Sequence, residues 1–320
     1  MSHMSVSAGP SLAERFAQAD WTFADAAAGS RSEFHPYPAR FIPAIPGQVL
    51  DLLDVKSGLV LDPFCGSGTT LAQARQRGLD TIGVDINPIA CLISRVRSMA
   101  WHPVWTGDLD RHLEGLREVA SSSGDVGQEF ATIPRLDHWF TLDAQRALTG
   151  AVRYLRSLNA DDPWRDVIAV SVSAATVRIS NQESDTRYAA ISKGGDFESA
   201  VASILRSLRR TVEWLDSNAT RSRPGEVSVL QRDARDLAPI EDASVSAVCF
   251  SPPYPNAYEY WLYHKYRMYW LGFDAVQVRG LEMGARPHYC KPNGLDENDF
   301  ADQMTEVFAE LQRVVCPGRT

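Results

Sequence analysis

The sequence predicts an α/β fold, a parallel sheet covered on both faces, and three features of one stretch carry that prediction. Leu59-Val60-Leu61 is a short apolar run of the kind that forms a strand buried on both sides. It leads into Asp62-Pro63-Phe64-Cys65-Gly66-Ser67-Gly68-Thr69-Thr70, a glycine-rich turn at the start of a helix. Thr81-Ile82-Gly83-Val84 is a second apolar run, and it ends in Asp85. Strand, glycine loop, helix and a second strand closing on a carboxylate make a nucleoside-binding unit, in which the carboxylate accepts from ribose hydroxyls. The competing reading of Asp85 is a strand-end carboxylate that caps the next helix.

Gly66 and Gly68 let the backbone turn sharply and let a ligand come close to it. Thr69 and Thr70 stand where a helix over 71–77 wants a cap, and Gly78 ends that helix. The loop is not G-x-G-x-x-G, which disfavours a nicotinamide enzyme. It lacks Gly-Lys-Ser/Thr, which disfavours a P-loop.

The 320 residues suffice for one large α/β domain with an insertion, or for two domains. A hydrophobic content of 44% excludes wholesale disorder. The net charge of −8 requires any nucleic-acid surface to be a local basic patch on an acidic body. The five cysteines are odd in number and form no C-x-x-C, which reads as free thiols in a reducing cytoplasm. No His/Cys spacing suggests zinc, so no metal is expected. The longest apolar run, about Val167 to Val177, is too short to span a bilayer. Met1-Ser-His-Met4 reads as an expression remnant.

Residues 5–33 read as a loose arm or short helix. Phe34 to Pro43 holds three prolines, so an ordered extended loop is expected, with a helix over 44–54 behind it. A helix follows Asp85, from about Ala90 to Met99. From Trp101 to about Gly225 the periodicity is helical: Leu109 to Val119, Leu142 to Leu158, 164–179 and Ile204 to Leu215. The β-branched run in 164–179 leaves a strand open there. Arg178, Asn181, Gln182, Arg187 and Lys193 lie in this region, followed by Arg206, Arg209, Arg210, Arg221 and Arg223. Such side chains read base edges and meet phosphates; a solvated polar face is the competing reading. Val227 to Leu230 is a third strand and Val245 to Phe250 a fourth. Residues 257–273 are rich in aromatics with Lys265 and Arg267 interleaved, suited to core packing on one face and to bases or backbone on the other. Residues 274–298 read as a loop able to close over substrate, and 299–315 as a helix.

The fourth strand ends in Ser251-Pro252-Pro253-Tyr254. Together with Asp62-Pro-Phe-Cys-Gly-Ser-Gly68, this motif resembles the S-adenosylmethionine-dependent DNA amino-methyltransferases, and its serine form is most similar to the N4-cytosine branch. The resemblance covers roughly residues 34–95 and 227–318. It implies a Rossmann-like class I methyltransferase sheet with a mostly helical insertion, S-adenosylmethionine as cofactor, and duplex DNA with a flipped target base as partner. It divides the chain into an N-terminal arm (1–33), a cofactor half (34–100), a helical insertion for DNA recognition (101–225) and a catalytic half (226–320). It also implies that His35 or Arg40 meets the methionine carboxylate, and that the loop from Phe64 to Thr69 cradles the cofactor. Asp85 takes the ribose, Ile86 and Asn87 border the adenine, and Asp233 with Ala234 lies beside the adenine amino group. Two readings stand for Asp62: a bond to the loop amides, or contact with the cofactor's ammonium.

The chemistry accounts for the second motif. A conjugated exocyclic amine is a poor nucleophile until acceptors draw on its N–H groups, and the Ser251 hydroxyl and Pro252 carbonyl can supply them. Both prolines stiffen the turn, and Tyr254 offers a ring for a flipped base. Methyl transfer by in-line displacement then needs positioning more than acid or base. Rival readings are N6-adenine or RNA methylation, and a non-catalytic module that binds DNA or a partner. The family continues into further sheet strands, of which none is readable here. Either the chain stops short of them, or a partner chain completes the sheet, or the insertion supplies strands read as helices.

Overall fold

The computed structural model describes residues 10–23, 33–122, 126, 128–219, 225–255, 257–290 and 294–318. Met1 to Met4, residues 5–9 and 24–32 of the arm, Arg221, Arg223 and Lys291 lie outside the described residues. The chain begins with α1 (Leu12–Gln18), closed by a Ser11–Glu14 capping box. After the proline-rich loop comes α2 (Ala44–Leu52), then β1 (Leu59–Asp62), α3 (Thr69–Gln76), β2 (Asp80–Asp85) and α4 (Pro88–Arg97). Asn87 caps α4, its side chain accepting from the Ile89 N–H at 2.9 Å.

The next stretch is helical, with α5 (Leu109–Ser122), α6 (Leu136–Trp139), α7 (Leu142–Ser157), α8 (Trp164–Ile179) and α9 (Phe197–Asn218). No strand occurs there among the described residues, so the insertion does not supply missing sheet strands. α8 is helical despite its β-branched content because it is buried on nearly every side, where packing overrides propensity. Its hydroxyls return to its own carbonyls: Ser171 donates to Val167 O at 2.6 Å and Thr176 to Val172 O at 2.8 Å.

β3 (Val227–Gln231) and β4 (Val245–Val248) complete a sheet of order β3-β2-β1-β4, parallel throughout. Then follow α10 (Tyr260–Leu271), α11 (Ala275–Leu281), α12 (Arg286–Tyr289) and α13 (Glu297–Val314). The loop expected over 274–298 is corrected, since it holds α11 and α12. Asp274 starts α11 by accepting from the Val276 and Gln277 N–H groups. Beyond α13, the Cys316 N–H donates to Val245 O at 2.9 Å, and Val315 bridges Val245 in parallel. The backbone there runs alongside β4.

Alternate strand residues face opposite sides of the sheet, and both sides are apolar. Leu61, Val84 and Val245 pack on Val307, Leu311 and Val314 of α13. Val60 packs on Leu50, Ala74 and Leu79 beside α2 and α3. The largest core joins α4 to the helical layer and α10, around Trp164, Val167, Leu208 and Trp270. No helix among the described residues is long and apolar enough to cross a membrane.

α5 and α7 cross closely at Gly150, where an added Cβ would meet Ala120 Cα at 2.3 Å. Gly150→Val should therefore lower stability by about 1–3 kcal/mol through overpacking. Urea unfolding should show a lower midpoint at unchanged slope; an unmoved midpoint would contradict the close crossing.

Candidate active site

In a parallel sheet the carboxyl ends of the strands open on one side. Here they border an open cleft of about 930 Å³ that brings together the glycine loop, Asp62, Asp85 and the Ser251–Tyr254 motif. β1 and β4 are neighbours in the sheet, which is why segments far apart in sequence meet.

The loop is held by backbone bonds: the Cys65 N–H donates to Val84 O at 2.9 Å, and the Gly68 N–H to Cys65 O at 2.7 Å. Gly66 and Gly68 take left-handed conformations, at φ 50° and 78°. α3 begins at Thr69 rather than Leu71, with Gly68 in the cap position, so the threonines lie inside the helix and do not cap it. The Thr69 hydroxyl is buried, lacks a protein partner and borders the cleft. Gly68 is corrected as a ligand contact. A Cβ there would meet Ser94 Cα at 2.8 Å, so its role is to seat the loop on α4.

Asp85 is not the cap of α4, a place taken by Asn87, and it braces the glycine loop instead. Its Oδ2 accepts from the Gly66 N–H at 2.9 Å and its Oδ1 from the Asn87 N–H at 2.8 Å, while the carboxylate still borders the cleft. Burial pushes its carboxyl up to about 6. Asp62 is buried and accepts from the Phe64 N–H at 3.1 Å, and burial pushes it up to about 7. Glu282 caps α10, accepting from the Tyr260 N–H at 2.9 Å and the Trp261 N–H at 2.7 Å. Burial pushes it up to about 8. Carboxyls this hard to ionise, gathered on one cleft, favour a cationic ligand that restores their charge.

Across the cleft, the Ser251 Oγ and Tyr254 hydroxyl share a hydrogen bond at 3.2 Å. Tyr254 is 50% exposed, so its ring is open to a flat partner. Pro252, Pro253, Phe64, Cys65, Ser67, Ile86, Asn87, Asp233 and Ala234 also line the cleft. Arg235 grips both oxygens of Asp233, at 2.9 and 2.6 Å. Arg40 reaches the cleft and pairs with Glu33. His35 does not reach it and is corrected. It is 1% exposed, with ring nitrogens engaged by Pro36 O and Ser173 Oγ at 2.7 and 2.9 Å.

Residues 14–95 match the family model described as a DNA methylase, of the N6- and N4-type methyltransferases. The chain is a relative of the DNA amino-methyltransferases. It is 24% identical to the Type II methyltransferase M.BsoBI of Geobacillus stearothermophilus over 293 residues, which is 81% of this chain and 57% of that protein. It is 43% identical to M.MjaII of Methanocaldococcus jannaschii over 63 residues, 20% of this chain and 12% of that one. To M.MvaI of Kocuria varians it is 31% identical over 117 residues, 33% of this chain and 25% of that one. The chain thus spans little more than half of the best-covered of these relatives. No solved structure matches it.

Of the residues expected to meet DNA, two are corrected. Arg267 is 1% exposed, donates to Ser173 O and Tyr263 O, and pairs with Asp185. Gln182 is 2% exposed and donates to Ser184 O. Both brace the interior. Asn181 donates to His138 O, Lys193 to Val177 O and Arg178 to Ser207 Oγ, while Arg187 pairs with Glu183. Lys265 lies over aromatic rings.

Sequence reasoning missed Tyr37, Tyr260 and Glu282, all on the cleft. Tyr37 stacks on Tyr260 with centroids 5.7 Å apart, and an added Cβ on Gly66 would meet the Tyr37 hydroxyl at 3.2 Å. The proline-rich loop pointed to Tyr37's neighbourhood. Nothing local distinguishes Glu282.

A carboxyl raised on folding contributes stability that is full below its unfolded value and is lost as pH rises through its folded value. His35 and His264, buried and lowered, act in the opposite sense. Their contribution is complete above their unfolded value of about 6.5. In the window from about pH 7 to 8 the fall comes chiefly from Glu282, whose value is about 8, with Asp62, at about 7, adding the end of its own loss. Stability of the ligand-free protein should fall across that window, and Glu282→Gln should remove most of the fall. Urea unfolding at stepped pH measures it; an equal fall in the variant would refute the assignment.

Proposed function

We propose that the chain is an S-adenosylmethionine-dependent DNA methyltransferase that modifies the exocyclic N4 of cytosine on a flipped base. The observation that carries this reading is the one cleft in which the nucleoside-binding loop faces Ser251-Pro252-Pro253-Tyr254. The family match supports methylation of amino groups in DNA, and the Type II methyltransferase names of the relatives support a restriction–modification setting, which we place in the cytoplasm. The serine heading the motif favours cytosine through the resemblance. In this reading 34–100 holds the cofactor, 226–320 the reacting base, and 101–225 faces DNA.

The cleft fits the cofactor. The Asp85 oxygens keep lone pairs for ribose hydroxyls, and the orphaned Thr69 hydroxyl awaits a polar partner. Asp62, Asp85 and Glu282, which burial makes hard to ionise, suit a ligand whose sulfonium and ammonium charges restore theirs. When bound, the cofactor supplies an electrophilic methyl group. The residues of the chain do the positioning. Whichever hydroxyl donates in the Ser251–Tyr254 bond, the Ser251 oxygen keeps a lone pair free to accept from the target amine. The Pro252 carbonyl accepts the second N–H, turning the amine lone pair out of conjugation. The Tyr254 ring stacks on the flipped base. Asp233, already held by Arg235, is the acceptor on the adenine side.

Ser251→Ala or Tyr254→Ala should cut methyl transfer at least a hundredfold, an order expected for loss of a positioned group, with cofactor affinity nearly unchanged. Asp85→Ala should instead weaken cofactor binding. Labelled S-adenosylmethionine, mixed-sequence duplex DNA and identification of the labelled nucleoside by mass test both claims. N4-methylcytosine supports the reading and N6-methyladenine overturns the choice of base. Equal turnover by wild type and Ser251→Ala overturns the catalytic assignment.

A further inference from the structure

An aromatic patch over α10 is rimmed by three cations that form no ion pair among the described residues. The Lys265 ammonium on α10 lies 5.5, 5.7 and 5.9 Å from the ring centres of Tyr266, Tyr188 and Trp261. The Arg279 guanidinium on α11 lies 5.0 Å from the Trp261 centre, on the same aromatic surface. Arg135, just before α6, is brought alongside by the bond from the Tyr266 hydroxyl to Pro134 O at 3.2 Å. Arg135 and Arg279 are exposed and Lys265 is half-buried. Among the described residues, none of the three forms an ion pair. Nearby carboxylates are committed elsewhere: Asp185 to the buried Arg267, and Glu282 to the α10 amides.

Like charges gathered this way repel one another, and Arg279 and Arg135 both lower the Lys265 ammonium further after burial has done so. In a chain of net charge −8, such a cluster is balanced best by an external anion. The two helices that carry Lys265 and Arg279 also reach the cleft, through Tyr260 at the start of α10 and Leu281 at the end of α11. The Glu282 bonds tie the end of α11 to the start of α10. The cations come from three separate elements, so successive phosphates of one chain can engage them.

We infer that Arg135, Lys265 and Arg279 form a clamp for the phosphodiesters of the substrate DNA, holding the duplex against the aromatic helix α10 beside the site. This rests on the proposed reaction for the identity of the polymer. Phosphate contacts of this kind position a duplex without reading its sequence.

The test is fluorescence anisotropy with mixed-sequence duplex at stepped salt. Log affinity falls linearly with log salt, by about 0.9 in slope per phosphate neutralised. The triple variant Arg135→Gln/Lys265→Gln/Arg279→Gln should flatten the slope by about 2 to 3, with cofactor affinity unchanged. Lys265→Arg should preserve the slope, and so should Lys56→Gln, which is remote from the rim. Circular dichroism monitors folding, and the exposed single variant Arg279→Gln replaces the triple if that misfolds, with about a one-unit change expected. A slope equal to wild type overturns the clamp and leaves the methyl-transfer reading standing. A flattened slope in a chain that binds no S-adenosylmethionine upholds the clamp and overturns that reading. Preference for RNA, or no duplex binding by wild type, overturns the DNA assignment of the clamp.

Discussion

Asp62, Asp85 and Glu282 sit where water is scarce, and each is tolerated because main-chain N–H groups point at it. The constraint works both ways. Asp85 cannot sit at the end of β2 without the Gly66 amide, and Gly66 cannot present that amide without its left-handed turn. Glu282 cannot be buried without the first amides of α10, which in turn lack partners inside their own helix. Charge and backbone thus fix each other's position. The glycine loop, the start of α10 and the end of α11 become parts of one rigid wall.

Behind that wall, the helical layer acts as a brace. Arg267 of α10 reaches the Ser173 carbonyl on α8 and the Asp185 carboxylate beyond it, and His35 reaches the Ser173 hydroxyl from the proline-rich loop. Only Arg267 of this pair is buried, so the pair itself adds little net stability, yet removing Asp185 leaves the buried Arg267 charge unmatched. Its effect is to fix where the aromatic helix lies relative to the cleft. Polar density in 178–188 therefore serves the interior as much as the surface.

Most of this was legible in the sequence wherever a local rule applied. The runs at β1 to β4, the glycine loop and the long helices follow from periodicity, and their order in the chain pointed to the cleft. Residues whose role depends on what lies across the fold were not legible. Arg267 and Gln182 carry the chemistry of DNA readers, and only the packing of α8 against α10 shows them enclosed. His35 looked like a ligand because of its neighbours in sequence, whereas its neighbours in space occupy both its nitrogens. Glu282 failed in the other direction, since a lone glutamate after an apolar turn has no pattern until α10 is placed over it. The segment over 274–298 looked irregular because its helices are short, and α11 depends on the Asp274 cap more than on periodicity.

The pairing of β1 with β4 has a kinetic side. Leu59 and Val245 are adjacent in the sheet yet about 185 residues apart in the chain, a separation that makes the contact costly to form early. The nucleoside loop can be shaped by β1, α3 and β2 alone, but the second wall of the cleft arrives only after the helical layer has been synthesised and packed. A growing chain therefore passes through a long interval in which β1 presents an open edge. Until β4 docks there, the Ser251–Tyr254 motif has nothing opposite it, so the site is completed by a contact of long sequence separation.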